Sequence, residues 1–288
     1  MQFTSNSYTR VTLALDVVRT ITDGSFKGYH ELGTIKHQID LCDTIIVEDS
    51  RADSIDCDDL TVPCDGRNSC LRAAHLMRVK YGLDRHVRIT LKKRIPVMGG
   101  LAGGSANAAT TLALLNKMWE VGLTAAELAA LGRDAGMDVP YYFIGGTAFD
   151  SEAGLRLEPV VTGCSFIFIL ACPGFGVSTK EAYAEIDYST IGKRRAFTEH
   201  LLNALLAGDR ERCNPFMHND FELSVFKKFP RLPAIKRELL DAGCSAALLT
   251  GSGSTIVGVA QNPAQAEEIS KKVSCKTIIS STLPRQVV

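Results

Sequence analysis

A glycine-rich stretch at residues 93–111, KRIPVMGGLAGGSANAATT, most constrains how this chain can fold. Between positions 99 and 105 only Leu101 is not a small residue. Glycine serves where the backbone takes a positive φ or lies against another group without a Cβ. A turn of this kind that opens into a helix directs backbone N–H groups outward, with the positive end of the helix dipole behind them. The stretch predicts a phosphate-binding loop, although small residues also allow a helix to pack closely on a sheet.

The better-known phosphate loops do not fit this pattern. A Walker A loop needs a lysine directly after its last glycine, where this chain has Ser105 after Gly104. A Rossmann turn has a different glycine spacing, and the catalytic-loop and metal-binding signatures of protein kinases are not found in the sequence. The stretch therefore predicts a third kind of phosphate loop.

Composition limits the class of protein and its partners. The 288 residues are 45% hydrophobic and 22% charged, as expected for a globular protein with a sizeable core. The 32 basic and 32 acidic residues cancel, so no overall field attracts nucleic acid or an anionic membrane. We therefore expect a pocket for a small molecule, with neither nucleic acid nor membrane as partner.

The compartment is predicted from the apolar runs and the cysteines. The first residues lack a signal-peptide pattern, and the longest dense apolar run, residues 166–172, is too short to span a bilayer. The nine cysteines contain no C-x-x-C pair, and no histidine accompanies the closest three, Cys57, Cys64 and Cys70, at zinc-finger spacing. We expect reduced thiols and a cytoplasmic protein.

The first half of the chain mixes strands and helices around the glycine-rich stretch. Alternating apolar residues predict a strand over residues 10–17, entered at one end by Arg10, and residues 86–91 predict a strand that leads into the loop. Asn68 is placed to cap a helix that ends near Gly82. A second helix is predicted from Ser105, with Trp119 in the core, and a third from a capping box at Thr124.

Asp138 follows these helices within the stretch MDVPYYF. The proline at 140 disfavours helix just ahead of it, so the aspartate is expected in a turn or an extended segment. A carboxylate among apolar neighbours must be paired, or its pKa rises. From these residues alone, Asp138 is either a local cap or a functional carboxylate.

The second half of the chain has a different residue pattern from the first, and we predict domains at residues 1–160 and 161–288. A strand is predicted around residues 166–172, and helices at 232–243 and 263–273. Residues 246–259 predict two strands joined by a glycine turn at 251–253. These elements predict a chain that mixes helices and strands.

The glycine-rich stretch and the stretch GMDVPYYFIGGTAF together resemble the GHMP kinases, the superfamily of galactokinase, homoserine kinase and mevalonate kinase. The resemblance implies an α+β, two-lobed fold, with a ribosomal-protein-S5-like N-terminal domain and a ferredoxin-like C-terminal α/β sandwich. It places the active site in the cleft between the lobes. It also implies that Asp138 is the catalytic aspartate and that the glycine turn at 251–253 supports the phosphate loop from the second domain.

The same resemblance implies ATP as phosphoryl donor and Mg²⁺ as its ion. Ser105 is expected to help coordinate the Mg²⁺, and Asn68, beyond its capping role, to lie near the adenine. The residues expected to bind the ATP phosphates are Pro96, Val97, Met98, Gly99, Gly100, Leu101, Ala102, Gly103, Gly104, Ser105 and Ala106.

Three further stretches, GYHEL at 28–32, VST at 177–179 and NDFE at 219–222, resemble one branch of this superfamily. That branch phosphorylates a cytidine diphosphate-linked polyol in isoprenoid precursor synthesis by the non-mevalonate route. The resemblance implies that Tyr29, His30 and Tyr183 contact the cytosine ring. Without it, His30 is a surface or turn residue and Tyr183 is as compatible with a helix-face core position.

The chain departs from the family pattern at four positions. Arg10 replaces the lysine beside the catalytic aspartate, Thr12 replaces an asparagine expected at the substrate, and Met98 and Ala102 replace loop glycines. A bidentate pair with Arg10 would keep Asp138 ionised but would hold it away from the substrate hydroxyl. The alternatives are therefore a GHMP kinase for another small alcohol and a nucleotide-binding homologue without catalysis, and for each we expect a monomer or a homodimer.

Overall fold

The computed structural model describes residues 1–22, 30–151, 156–184, 186–187 and 191–287. Helices accompany sheets whose strands pair mainly antiparallel, and this confirms the expected α+β class. The strands are β1 Gln2–Thr20, β2 His30–Ser50, β3 Ser54–Cys57, β4 His86–Lys92, β5 Thr147–Ser151, β6 Arg156–Pro159, β7 Ile167–Cys172, β8 His218–Asn219, β9 Ala246–Leu249, β10 Ile256–Ala260 and β11 Lys276–Ser281. The helices are α1 Ser69–Tyr81, α2 Gly103–Met118, α3 Ala125–Ala135, α4 Thr179–Ala184, α5 Arg195–Leu206, α6 Arg210–Cys213, α7 Glu222–Lys228, α8 Arg231–Asp241 and α9 Pro263–Ser270, and short 3-10 helices span Val139–Phe143 and Asn214–Phe216.

The first sheet has the strand order β3-β4-β2-β1-β8, and β5 and β6 extend it from β2. Helices α1, α2 and α3 contribute to one apolar core with β2 and β4. Trp119, predicted as a core residue, is 6% exposed within this cluster. The tight packing of three helices on the sheet fixes the start of α2, where the phosphate loop ends.

The two long strands β1 and β2 differ most from the sequence prediction. The expected strand over residues 10–17 is the middle of a 19-residue strand, so Arg10 lies within it and not at its end. Register shifts after Tyr8, Thr12 and Val17 interrupt the pairing of β1 with β2. Each such irregularity changes which side chains face the core, so the alternation of apolar residues breaks although the strand continues.

The second sheet is antiparallel, with the order β11-β7-β10-β9. The predicted strand–turn–strand at 246–259 is confirmed, because β9 and β10 pair from Leu249 with Ile256 to Ala246 with Val259. Apolar side chains of α7, α8 and α9 pack with this sheet. The turn between β9 and β10 contains the glycine turn at residues 251–253, the second glycine motif of the chain.

The two halves of the chain share backbone hydrogen bonds. The NDFE segment begins with Asn219, the last residue of strand β8, which pairs in parallel with β1. Helix α7 begins at Glu222, the last residue of the segment. The Asp220 carboxylate then accepts a hydrogen bond from the Val17 amide at 3.0 Å. The predicted boundary near residue 160 falls between β6 and β7 and stays a prediction.

The predicted helix ends are largely confirmed. Asn68 caps α1 through the Cys70 amide at 2.9 Å, and Gly82 ends this helix at φ 61°. Thr124 and Glu127 form the predicted capping box of α3. At the start of α4, Ser178 Oγ accepts a hydrogen bond from the Glu181 amide at 3.1 Å. Helix α2 begins at Gly103, two residues before the predicted Ser105.

All nine cysteines are free thiols. Within the described residues, every helix is too short or too polar to cross a bilayer.

Candidate active site

The phosphate loop turns its carbonyl groups toward the scaffold. Four successive carbonyl oxygens, those of residues 99–102, accept hydrogen bonds from elsewhere in the fold. The donors, in that order, are the Thr255 amide at 3.2 Å, Arg10 Nη1 at 3.0 Å, Thr9 Oγ1, and Tyr142 Oη at 3.2 Å. With its carbonyls anchored in this way, the loop can present amides to a ligand.

The amides of residues 100–104 have no protein acceptor in the described part of the chain. Two of them, at Gly103 and Gly104, belong to the first turn of α2, whose N–H groups have no partner within the helix. Unpaired amides at a helix N-terminus, with the positive end of the dipole, attract anions. The predicted loop thus has the chemistry of a phosphate site.

The two loop positions that depart from the family glycines have left-handed backbone. Met98 has φ 55° and Ala102 has φ 53°. Residues other than glycine take this conformation at a cost of about 1–2 kcal/mol each. The loop keeps a glycine-type backbone although two glycines are replaced.

Gly100 is the position where the loop touches the second glycine motif. Its φ is 75°, and a Cβ there would lie 2.1 Å from the Thr250 carbonyl oxygen. The Asn219 side chain holds the far side of this turn, since its Nδ2 donates to the carbonyl of Gly251 at 2.8 Å. The turn from the second half of the chain therefore lies directly against the phosphate loop.

Asp43, a residue that the sequence analysis missed, anchors both ends of the loop. This aspartate of β2 is fully buried and accepts hydrogen bonds from the amides of Arg94 at 2.7 Å and Ile95 at 2.9 Å. It also accepts from Asn107 Nδ2 of α2 at 3.0 Å and pairs with Lys93. One carboxylate thus fixes the approach to the loop and the helix after it.

Arg10 connects the loop to the predicted catalytic aspartate. Its Nη2 donates to Asp138 Oδ2 at 2.7 Å, and its Nη1 donates to the Gly100 carbonyl and, at 2.9 Å, to Thr12 Oγ1. Asp138 receives one contact from this guanidinium, so the bidentate pair considered from the sequence does not form. The pairing leaves the second carboxylate oxygen of Asp138 to another partner.

That partner is Lys36 of β2, which the sequence analysis also missed. Lys36 Nζ lies 2.6 Å from Asp138 Oδ1 and forms a second ion pair with Asp150 of β5. Lys36 is 4% exposed. In the sequence, Lys36 is only a lysine with polar neighbours in a strand. The sequence does not show that β5 pairs with this strand.

The charges around Asp138 determine its protonation. Burial alone would raise the pKa of the Asp138 carboxyl, but the charges of Lys36 and Arg10 and their hydrogen bonds outweigh it, and the pKa lies well below its usual range. Burial raises the pKa of Asp150, and Lys36 only partly offsets this effect. Asp138 is therefore an ionised acceptor of hydrogen bonds.

The aromatic residues predicted for a cytosine ring are partly brought together. His30 and Tyr183 stack with ring centroids 4.1 Å apart and an interplanar angle of 9°, and Phe221 meets Tyr183 edge-on at 4.9 Å. Burial lowers the pKa of His30, which favours its neutral form. Tyr29 lies outside the described residues. The stacked rings of His30 and Tyr183 both line the cavity of the site.

A cavity of about 1160 Å³ collects these groups. Its walls include Asn68 and Ser105 from the first half and Tyr183 and Ser252 from the second. The structure thus brings together Arg10, Thr12, His30, Lys36, Asn68, the loop from Pro96 to Ser105, Asp138, Asp150 and Tyr183. Ala106 is buried behind the loop.

The side chains around the cavity fit a metal ion that binds together with a phosphate group. Among the described residues, no group of three histidine, cysteine, aspartate or glutamate side chains could hold a metal. Mg²⁺ in phosphotransferases commonly keeps water and phosphate oxygens as ligands and needs few protein groups. The half-buried Ser105 hydroxyl at the start of α2 suits such a role.

Two family models match this chain and show the class of protein to which it belongs. The family model "GHMP kinases N terminal domain" matches residues 68–146, and "GHMP kinases C terminal" matches residues 201–279. The two matched ranges contain the start of α2, Asp138 and the glycine turn at 251–253. The chain belongs to the GHMP kinase family.

Similar proteins within this family have names of the same enzyme. A 4-diphosphocytidyl-2-C-methyl-D-erythritol kinase from Clostridium kluyveri is 38% identical over 251 residues, 87% of this chain and 88% of the relative. The enzyme of the same name from Shouchella clausii is 35% identical, over 93% of this chain and 89% of its own. A crystal structure of 4-(cytidine 5'-diphospho)-2C-methyl-D-erythritol kinase, 28% identical, superposes with a TM-score of 0.80 and covers 97% of this chain and 98% of that one.

Proposed function

We propose that this protein is an ATP-dependent kinase that phosphorylates the 2-hydroxyl of 4-diphosphocytidyl-2-C-methyl-D-erythritol. The observation that carries the proposal is the position of Arg10, which contacts both the phosphate loop, at Gly100, and Asp138. A triphosphate bound to the loop and an acceptor hydroxyl at Asp138 would then both lie next to the Arg10 guanidinium. The relatives' names and the coverage of the matches support the choice of acceptor.

The loop amides and the N-terminus of α2 bind the β and γ phosphates of ATP in this proposal. Asn68 lies at the adenine end, and the site occupies the cleft between the two lobes. Mg²⁺, coordinated in part by Ser105, would supply neutralising charge on the phosphate oxygens. The reaction forms a bond between the acceptor oxygen and the γ-phosphorus, breaks the bond from that phosphorus to the bridging oxygen, and releases ADP.

Asp138 orients the acceptor hydroxyl and takes its proton. A general base works best with a pKa near the operating pH, and the pKa of Asp138 lies far below it. The carboxylate therefore contributes mainly by placing the oxygen in line with the γ-phosphorus, and it receives the proton as the new bond forms. Arg10 stabilises the charge that develops on the transferred group.

In this proposal the cytosine ring of the acceptor contacts the stacked rings of His30 and Tyr183. The role of Tyr29, which lies outside the described residues, stays a prediction from the sequence. Thr12, next to Arg10, would adjoin the polyol. The cytoplasmic location and the monomeric or homodimeric state stay predictions from the sequence.

Replacing Asp138 with asparagine tests this assignment. Asp138→Asn should lower the rate of ADP release with the cytidine acceptor by about 10²- to 10⁴-fold, the usual contribution of a positioned acid–base group. Coupled-enzyme detection of ADP measures the rate, and circular dichroism checks the fold. Asp134→Asn, an exposed change one helical turn earlier, is the matched control and should keep full activity. An undiminished rate in a folded Asp138→Asn protein would end the assignment.

A further inference from the structure

Lys36 reaches the catalytic centre through strand pairing. Thr12 of β1 stands directly opposite Lys36 of β2, and Thr34, two residues before Lys36, stands opposite Asp150 of β5. Residues two apart along a strand share a face, and diagonal neighbours on adjacent strands are within reach of long side chains. Arg10, Thr12, Lys36 and Asp150 therefore point from one face of the first sheet.

The two cations on this face have different attachments. Arg10 is fixed between Asp138, the Gly100 carbonyl and Thr12, and its Nε is buried without a hydrogen-bond partner among the described residues. Lys36 uses two of its three N–H groups, one for Asp138 and one for Asp150. The guanidinium connects the phosphate loop to Asp138. The ammonium donates to two carboxylates and lies 5.8 Å from the centre of the Tyr141 ring.

Asp150 explains how a lysine is tolerated there. A buried ammonium needs a counter-charge, and Asp138, which is shared with Arg10, provides only one carboxylate for two cations. Asp150, 8% exposed, restores the balance to two cations and two anions. The pair Lys36–Asp150 is thus a built part of the site.

We propose that Lys36, held by Asp150, is a positioning residue that fixes the second carboxylate oxygen of Asp138 and so sets the direction in which this carboxylate meets the acceptor hydroxyl. The inference rests on the proposed function. Arg10 alone would leave the carboxylate free to rotate about its single contact. With both oxygens held, Asp138 faces the cavity in one orientation.

Removal of the ammonium tests the role. Lys36→Ala should lower kcat by about 10²-fold, within the range for loss of one group that organises charge in a phosphoryl-transfer site, while KM for ATP changes little. Added methylammonium should restore part of the rate, because a small amine fits the space left by the side chain. Lys276→Ala, at the exposed first residue of β11, is the matched control and should change neither rate nor rescue.

A titration of Asp138 gives a readout that needs no turnover. The charged or titratable groups that face Asp138 are Arg10 from β1, Lys36 from β2, Asp150 from β5, and Tyr141 and Tyr142 from the 3-10 helix. Because opposite charges nearby lower a carboxyl pKa by about 1–3, Lys36→Ala should move the ¹³C-NMR midpoint of Asp138 upward by about one pH unit or more. Lys276→Ala should leave it in place.

The outcomes separate this inference from the proposed function. If the unmodified protein releases no ADP with the cytidine acceptor, the proposed function fails, and the NMR titration still tests the contact. If the unmodified protein is active and Lys36→Ala keeps its kcat and the Asp138 midpoint, the inference is wrong. If Lys36→Ala does not fold, Asp150→Asn is tested instead. Asp150→Asn should lower kcat and leave KM for ATP unchanged, and a full rate in this variant would overturn the inference.

Discussion

At the scale of single residues, the site depends on how one carboxylate is held. Asp138 is paired on one oxygen with Arg10 at 2.7 Å and on the other with Lys36 at 2.6 Å. The replacement of the family lysine by Arg10 therefore does not remove the ammonium from the site, since Lys36 brings one from the neighbouring strand. This arrangement favours a working kinase over a homologue that binds nucleotide without catalysis.

The left-handed residues of the loop give a prediction about stability. Ala102→Gly should raise the free energy of unfolding by about 0.5–1 kcal/mol, because relief of about 1–2 kcal/mol of backbone strain exceeds the added entropy of the unfolded chain, about 0.4–1 kcal/mol. Urea denaturation measures the change. Glu120→Gly, at φ 56° and away from the cavity, is the control and should give a similar gain. A loss of stability in Ala102→Gly would show that the Ala102 side chain stabilises the loop.

The sequence predicted the residues of the site that lie within motifs. The loop, Arg10 and Asp138 were found because each belongs to a short recognisable stretch, and the structure brings them together around one cavity. Lys36, Asp43 and Asp150 were missed since their roles depend on which strands are neighbours. A local pattern contains no information on such pairing.

At the scale of elements, the phosphate loop is fixed by contacts from distant segments. Gly100 packs on the turn between β9 and β10, and Asp43 of β2 binds both ends of the loop. The loop amides are thus held in place before a ligand arrives, and less order must be gained on binding. The second half of the chain thus contacts the predicted phosphate loop through this turn.

Replacing Gly100 tests that contact. Gly100→Ala should destabilise the protein by about 1–3 kcal/mol and raise KM for ATP about tenfold, because the new Cβ would overlap the Thr250 carbonyl oxygen and force the loop away from the turn. Thermal unfolding and ADP-release kinetics measure the two effects. Gly66→Ala, whose Cβ would meet nothing within 4 Å, is the control and should change neither. Normal ATP kinetics in Gly100→Ala would exclude a role for the packed turn.

The elements themselves were predictable where their signals are local. Caps at Asn68 and Thr124 and the hairpin of β9 and β10 follow from side chains a few residues apart. The full lengths of β1 and β2 were not predictable, because bulges shift the register and polar residues occupy buried positions along both strands. Tertiary pairing, and not an apolar alternation, maintains them.

At the scale of the whole molecule, the two halves jointly build one cavity. The first half supplies the loop, Asp138 and the paired cations, and the second supplies Tyr183 and the glycine turn. Strand β8 and the bridge between Ile39 and Thr282 join the halves by backbone hydrogen bonds. A cavity lined by both halves offers room to hold two small molecules next to each other, as the proposed transfer requires.

The most direct test of the central claim is the product of the reaction. Incubation with ATP and 4-diphosphocytidyl-2-C-methyl-D-erythritol, followed by ³¹P NMR, should show one new phosphomonoester on the 2-oxygen and one ADP for each acceptor consumed. Methylerythritol without the cytidine diphosphate should give no phosphomonoester, since it lacks the ring that we propose contacts His30 and Tyr183. ADP formed at the same rate without the acceptor, or no new phosphomonoester, would contradict the account.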